Sequence, residues 1–398
     1  MEWRKEVIIS RNLTFTRSVL IILIILTFFL GDKWLLFILL TAVILLFIHH
    51  AYFSLLGRDL HLENDKEITR MNIGNEGAWL FTFKNKGVPF VKGSLNIAFD
   101  DCIEPTTYPY VKNRSFLEIS IPFRAWTNEQ VEVRIPFSAI KRGISHIYKF
   151  EIKVNHLFGS GSIILNYDGI IKKKKLVYPS RKIVHALKEP SVLFHGYQDV
   201  RNSLFFDPLQ PIGTREYIKG DSFQHIHWKA TARMQQLQTK VFPHSGARHW
   251  LFILNISEGH SIHRDLEELI SYTAFLIEHA VKENIPFAVA INIRTHSDIP
   301  YFYLSEGEGR IQRQKAFEIL SMLSIHSFPY PPHLMLKDIE KRGSSIPIVI
   351  YIGNQNTASN NVLLSLKMKK STIFELENVN GQGVMKEWSQ VTCKRRSG

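Results

Sequence analysis

The sequence predicts an α/β protein in three parts: an N-terminal transmembrane helical hairpin, an antiparallel β-sandwich, and a C-terminal Rossmann-like α/β domain with a mostly parallel sheet. Three observations carry this reading. Two apolar blocks stand within the first 57 residues, separated only by Gly31, Asp32 and Lys33. From about Asp59 to Asp168, short runs of alternating apolar and polar residues recur between turn signals, with the period of half-buried strands. Beyond residue 245, continuous apolar strands alternate with amphipathic helices, as in a parallel sheet covered on both faces.

The first block, Ser18 to Leu30, is marginal as a span unless extended back through "NLTFT", with Arg17 reaching toward the headgroups. The second, Trp34 to Leu56, is long enough to cross a bilayer. A basic stretch before a short apolar core also suits a cleaved signal peptide, but no small-x-small site follows and a second apolar block comes at once. Arg4, Lys5, Arg11 and Arg17 flank the first block and Arg58 follows the second, so positive-inside bias places both ends in the cytoplasm. The expectation is a multi-pass cell-membrane protein, with residues 1–57 as N-terminal tail and two membrane helices.

Residues 58–170 form the expected sandwich. Leu117, Ile119 and Ile121 alternate with Glu118 and Ser120, and Val131, Val133 and Ile135 with Glu132 and Arg134. The run "IIKKKKLVYPS" (Ile170 to Ser180) reads as a boundary whose lysines are a solvated linker face, or a contact for anionic lipid. Residues 171–245 are expected to be linker and a polar signature segment. From residue 246, "HWLFILNIS" is a buried strand and "HRDLEELISYTAFLIEHAVKEN" a helix with Leu266, Leu269, Ile270, Thr273 and Ile277 on one face. Then follow strand "PFAVAINI", helices "IQRQKAFEILSMLSI" and "HLMLKDIEKRG", strand "IPIVIYIG", helix "VLLSLKMKK" and strand "STIFELE".

Composition removes several function classes. Forty-nine Lys and Arg against thirty-six Asp and Glu give a formal charge of +13, which permits nucleic acid, anionic lipid or an acidic partner without choosing among them. Cys102 and Cys393 are the two cysteines, far apart and without CxxC spacing, which argues against a disulfide framework or a thiolate metal site and fits a reducing compartment. No GxxxxGK[ST] or GxSxG motif occurs, so neither a P-loop ATPase nor a nucleophile elbow is indicated. No cofactor is expected.

The chemistry-bearing stretch is "REYIKGDSFQHIHWKATAR", Arg215 to Arg233. On a strand, His225 and His227 would point to one face and with Asp221 could serve a metal-dependent hydrolase or nuclease, although no third zinc ligand is evident. Trp228, Lys229 and Arg233 could instead stack on and clasp nucleic acid, Lys229 and Arg233 sharing a helical face. The favoured reading is a polar joint: Trp228 with its ring buried, and Asp221 accepting from Arg215 or Arg233. No nucleic-acid partner is expected.

In order, Arg215, Tyr217, Gly220, Asp221, Ile226, Trp228, Lys229, Ala232 and Arg233 resemble the signature of the domain of unknown function 58 family. The resemblance extends to the layout over nearly the whole chain. This sequence has Gln224 and His225 where arginines commonly follow the Gly-Asp pair. The resemblance implies a C-terminal von Willebrand factor type A-like domain, a MoxR-type AAA+ ATPase as partner, and possible association with a transglutaminase-like membrane protein and the lipid bilayer. It implies a non-enzymatic scaffold or adaptor in assembly or remodelling of membrane or envelope complexes. Type A domains hold Mg²⁺ through Asp-x-Ser-x-Ser. Here the matching "NISEG" has Asn255, Ser257 and Gly259, a degenerate motif lacking the acid and one hydroxyl.

Overall fold

The computed structural model describes residues 2–8, 23, 33–155, 161–186, 213–218, 222–241, 249–259, 261–342, 348–369 and 371–389. The first apolar block lies outside the described residues except for Leu23, and Gly220, Asp221 and Cys393 lie outside them entirely. The chain divides into two compact units, Met1–Ser180 and Arg181–Gly398.

The first unit starts with β1 (Trp3–Ile8) and α1 (Lys33–Leu55). Strands β2 (Leu60–Glu63), β3 (Glu67–Asn72), β4 (Glu76–Asn85), β5 (Phe90–Asp100), β6 (Ile103–Pro105) and β7 (Tyr110–Asn113) follow. Then come β8 (Phe116–Ala125), β9 (Glu129–Ala139), β10 (Gly143–Ser145), β11 (Ile147–Asn155), β12 (Ser162–Tyr167) and β13 (Lys173–Tyr178). A six-stranded antiparallel sheet, β1-β12-β11-β5-β8-β7, and a four-stranded one, β2-β4-β9-β6, enclose one apolar core. Phe81 and Phe83 of β4 meet Phe150 of β11 and Phe123 of β8 across it. The alternation in β8 and β9 has the meaning expected of it: Leu117, Ile119, Ile121, Val133 and Ile135 are buried.

Two elements depart from expectation. Trp3–Ile8 is no tail: it pairs along its whole length with β12, from Trp3 opposite Tyr167 to Ile8 opposite Ser162, and the Trp3 ring is buried against Phe83, Phe150 and Tyr167. The lysine run is no linker. Lys173–Tyr178 is a strand, parallel to β3 and antiparallel to β10. Lys175 is 2% exposed, its ammonium donating to Glu67 and to Thr69 Oγ1 (2.8 Å) and lying 4.8 Å from the centre of the Trp79 ring. A lysine can enter a core when its charge finds a carboxylate and an aromatic face there. Burial pushes the Glu67 carboxyl up, but Lys175, Thr69 and Lys173 outweigh it and hold Glu67 below the usual carboxylate value.

α1 is long and apolar enough to cross a membrane, and its apolar side chains are mostly exposed from Trp34 to Ile48. Its final turn differs: Phe53 is buried in the sandwich core, together with Leu56 just beyond the helix.

The second unit carries β14 (Val184–Ala186), β15 (Gly213–Glu216), α2 (Trp228–Met234), β16 (Gln238–Val241), β17 (Trp250–Leu254), β18 (Ser257–Glu258) and β19 (Ser261–Ile262). It continues with α3 (Leu266–Lys282), β20 (Phe287–Arg294), β21 (Tyr301–Gly307), α4 (Gly309–Met322) and α5 (Pro332–Lys341). It ends with β22 (Ile348–Ile352), α6 (Thr357–Met368), β23 (Thr372–Val379) and β24 (Gln382–Glu387). Its seven-stranded sheet runs β14-β24-β23-β22-β17-β20-β21; β23, β22, β17 and β20 are parallel, β21 is antiparallel to β20, and β24 is antiparallel to β23 but parallel to β14. The predicted α3 face, Leu266, Leu269, Ile270, Thr273 and Ile277, is buried, while α5 and α6 pack on the odd-numbered residues of β17 and β22. After β17 the chain steps to β20 on one side, then returns to β22 on the other, so the order reverses at β17. In open sheets of this kind ligands sit beyond the carboxyl ends of the strands at such a reversal.

Candidate functional site

The reversal point lies between the carboxyl ends of β17 and β22, where amide and hydroxyl side chains gather: Asn255 and Ser257 after β17, Asn354 and Gln355 after β22. Asn292, near the end of β20, completes the set. Asn255, Ser257 and Asn292 are all buried. Asn255 Oδ1 accepts from Ser257 N (3.1 Å), Ser257 Oγ (2.7 Å) and Asn292 Nδ2 (2.7 Å), and its Nδ2 donates to the Asn354 carbonyl (2.6 Å). Asn292 Nδ2 also approaches Ser257 Oγ (3.1 Å) and the Tyr330 carbonyl (3.0 Å), while its Oδ1 accepts from Ile256 N (2.6 Å), which sets the amide's orientation.

The consequence is electrostatic. A cation held by Asn255 and Ser257 would have to share the two oxygens that Asn292 Nδ2 already addresses with its protons. A neutral donor does there what a metal does in an acidic motif, linking the strand ends without charge. Gly259, with φ +63, has open space where its side chain would be. The gap between β17 and β22 is narrow: Gly353 has φ +106, and a Cβ there would run into the Asn255 carbonyl. At the rim, Asn354 Nδ2 donates to Glu258 Oε1 (3.1 Å).

A second polar group ties β24 to the sheet. Gln355 Nε2 donates to Glu375 Oε2 (2.7 Å), Trp388 Nε1 donates to Gln355 Oε1 (2.8 Å), and Lys386 lies 3.2 Å from both Glu375 and Glu377. Burial pushes the Glu375 carboxyl above its usual value, against the opposing pull of Lys386.

The signature segment folds as a small module. β15 and β16 form a two-stranded antiparallel ribbon, and Ile226, buried, bridges to Thr239. His227 caps α2, its Nδ1 accepting from Ala230 N (3.1 Å), and Gln235, in the left-handed conformation, ends the helix. His225 belongs instead to a short 3₁₀ turn, Phe223–His225, so the two histidines do not share a strand face. Among the described residues no group of three His, Cys, Asp or Glu side chains could hold a metal ion. Arg215 lies on β15, and Tyr217 follows it with its ring 6.0 Å from that of Phe223. Lys229 and Arg233 are exposed one turn apart on α2.

The buried-aromatic joint is corrected at Trp228, which is 67% exposed, as are Phe223 (71%), Ile218 and Met234. A seven-residue helix on a two-stranded ribbon has too little volume to enclose a tryptophan. The structure therefore brings together Asn255 and Ser257 at the sheet's carboxyl edge, and Arg215, Tyr217, Trp228, Lys229 and Arg233 on the module. Sequence gives no pointer to Asn292, Asn354 and Gln355 beyond their setting: Asn292 is an amide inside the apolar run "AINI", and Asn354 and Gln355 follow the apolar run in "IYIGNQN".

A family model described as "Protein of unknown function DUF58" matches residues 213–307, from the module through β21, and supports the family resemblance over that stretch. No curated protein matches the chain. Among solved structures, a non-cellulosomal cohesin from Archaeoglobus fulgidus is 10% identical with a TM-score of 0.18, covering 28% of this chain and 85% of the cohesin. The third cohesin ScaC of Acetivibrio cellulolyticus is 12% identical with a TM-score of 0.19, covering 29% and 97%. The third ScaB cohesin of R. flavefaciens is 14% identical with a TM-score of 0.18, covering 30% and 94%. At such scores these likenesses carry no argument.

Proposed function

We propose that this chain, read as a DUF58-family protein, is a membrane-anchored scaffold: the sandwich and the type A-like α/β unit stand in the cytoplasm and dock partners rather than turn over a substrate. The observation that carries the reading is the carboxyl edge of the parallel sheet, where Asn255, Ser257 and Asn292 are spent on one another. In this set the one hydroxyl, Ser257, is bonded to amides and not to a base, and the carboxylate at the rim, Glu258, accepts from Asn354, whereas the module beside it in sequence displays Phe223 and Trp228 to solvent. Exposed aromatics flanked by cations such as Lys229 and Arg233 are typical of residues that anchor interfaces. The family resemblance supplies the partner class, a MoxR-type AAA+ ATPase, with a transglutaminase-like membrane protein as a second candidate.

The anchor is a helical hairpin in this proposal. β1 belongs to the same sandwich as the strands that follow α1. If α1 crosses the bilayer, the chain between Ile8 and Lys33 must cross it too, because both flanking segments are on one side. The apolar block Ser18 to Leu30 is the segment available for that crossing, and the positive-inside bias favours the cytoplasmic side for both ends.

A photo-reactive residue placed at Lys229, next to Trp228 on α2, in native membranes tests the docking role. Recovery of an AAA+ ATPase, lost in a Trp228→Ala/Phe223→Ala chain of unchanged melting behaviour, is the expected result. Failure to recover one under several growth states in which both proteins are made would overturn it.

A further inference from the structure

We propose that the end of the sandwich from which α1 departs is seated in the headgroup layer of the bilayer. Trp126 would lie at the interface, and Arg58, Lys86, Lys92 and Arg124 against the phosphates of anionic phospholipids. This rests on the reading of α1 as a membrane span.

α1 has 23 residues, about 34 Å at the usual helical rise. Its last turn is not free: Phe53 and the adjoining Leu56 are in the sandwich core, and the Tyr52 hydroxyl donates to the Pro89 carbonyl (2.6 Å). The stretch from Trp34 to Ala51 rises roughly 27 Å, against a hydrocarbon thickness of about 30 Å. Nothing remains to serve as a spacer, so the headgroup layer falls on the sandwich itself.

Strand register identifies what meets it. The Tyr52 bond places the β4–β5 connection, residues 86–89, at the helix exit. Buried Asn85 donates from Nδ2 to the carbonyls of Val88 (3.0 Å) and Trp126 (3.1 Å), holding the β8–β9 turn to that connection. Leu60 stands opposite Asn85 and Phe90 opposite Ala125, which brings Arg58 and Val91 to the same end. β1 leaves from this end too, with Val7 and Ile8 exposed.

The rim formed in this way suits a lipid surface. Trp126 is 54% exposed and Val91 nearly as much, although a core lies directly beneath them. Tryptophan is enriched where one side of a ring meets hydrocarbon and the other meets water. Arg58, Lys86, Lys92 and Arg124 are all exposed there, facing Asp59 and Glu129, and Glu129 already accepts from the Trp126 backbone N–H. The balance is cationic, as contact with anionic headgroups requires.

The test uses the full chain in vesicles of equal phosphatidylcholine and phosphatidylglycerol, with nitroxides at Trp126→Cys or Val91→Cys on the rim, Ile44→Cys in α1, and Arg114→Cys in the turn at the opposite end of the sandwich. Cys393→Ser removes one native thiol; Cys102 stays, being buried with its thiol pushed up to about 12. Collision with oxygen and with a water-soluble nickel chelate is then measured. The expected pattern is an oxygen-accessible, nickel-shielded Ile44 label, an aqueous Arg114 label, and rim labels clearly less accessible to nickel than Arg114, as a position within the headgroup layer is. Rim labels as aqueous as Arg114, with Ile44 in lipid, would overturn the headgroup seating and leave the span intact. An aqueous Ile44 label would overturn the span and the proposal with it.

Discussion

Replacing Trp3 by alanine should unfold the sandwich at markedly lower temperature, although the residue stands near the start of the chain, ahead of an apolar helix. The Trp3 side chain is 5% exposed and touches rings from both sheets, Phe83 of one and Phe150 and Tyr167 of the other. A buried tryptophan removes about 150–250 Å² from water, worth roughly 4–6 kcal/mol at 25 cal/mol per Å². A compact unfolded state lowers this to roughly 3–5 kcal/mol. One term opposes it: Trp3 Nε1 has no acceptor among the described residues, and removing that orphan donor returns about 1 kcal/mol. The net loss is about 2–4 kcal/mol, which for a unit of this size lowers its melting temperature by roughly 5–15 °C. Calorimetry of the full chain in detergent reads the effect, and the transition of the second unit should stay in place as the internal control. Trp3→Phe, which keeps a ring and removes the orphan donor, should melt within a few degrees of the parent. A Trp3→Ala protein that melts with the parent would show that β1 does not belong to the sandwich, and nothing would then require the chain to cross the membrane an even number of times.

Other consequences follow from the buried polar groups. Lys175→Met should cost no more than about 1 kcal/mol, because Glu67 remains partly exposed and can turn to water, whereas Lys175→Ala loses three buried methylenes and about 2 kcal/mol; denaturant titration separates the two. Because Glu67 titrates below its usual 4.5 in the folded chain, its contribution is present above that value and is lost as pH falls through the lower folded one. Glu67→Gln should accordingly flatten the acid limb of the stability profile and leave the neutral region nearly level. Asn255→Asp replaces the donor to Asn354 by an oxygen facing that carbonyl and buries a charge that the three donors at Oδ1 offset only in part, so the second unit should lose about 2 kcal/mol at neutral pH and regain part of it as acid protonates the new group. Full rescue by Mg²⁺ would mean that the strand ends still form a cation site.

The readable elements share a property: their signal is local. The 3.6-residue period of α3 and the two-residue period of β8 follow from which face meets a core, whatever that core contains. The antiparallel strands β21 and β24 escaped because their pattern is short and half-polar, and their place depends on a neighbour supplied from elsewhere in the chain. Trp228 was misjudged for a related reason. Its residue type suits a buried joint, but whether a ring is covered depends on the bulk of the element beneath it.

From sequence alone came the apolar block of α1, the strand-rich middle, the alternating second unit, and the frame of Arg215, Tyr217, Trp228, Lys229 and Arg233 that carries the family resemblance. Tertiary structure decided the rest. Trp3–Ile8 became a sandwich strand because β12, more than 150 residues away, presents an open edge. Lys175 became a core residue because Glu67, 108 positions earlier, lies on the adjacent strand. Asn255, Ser257 and Asn292 became a closed hydrogen-bonded set because parallel pairing aligns the polar ends of separate strands. A residue's own chemistry sets what it can bond to, but which partners arrive is determined by chain segments with no local means of announcing themselves.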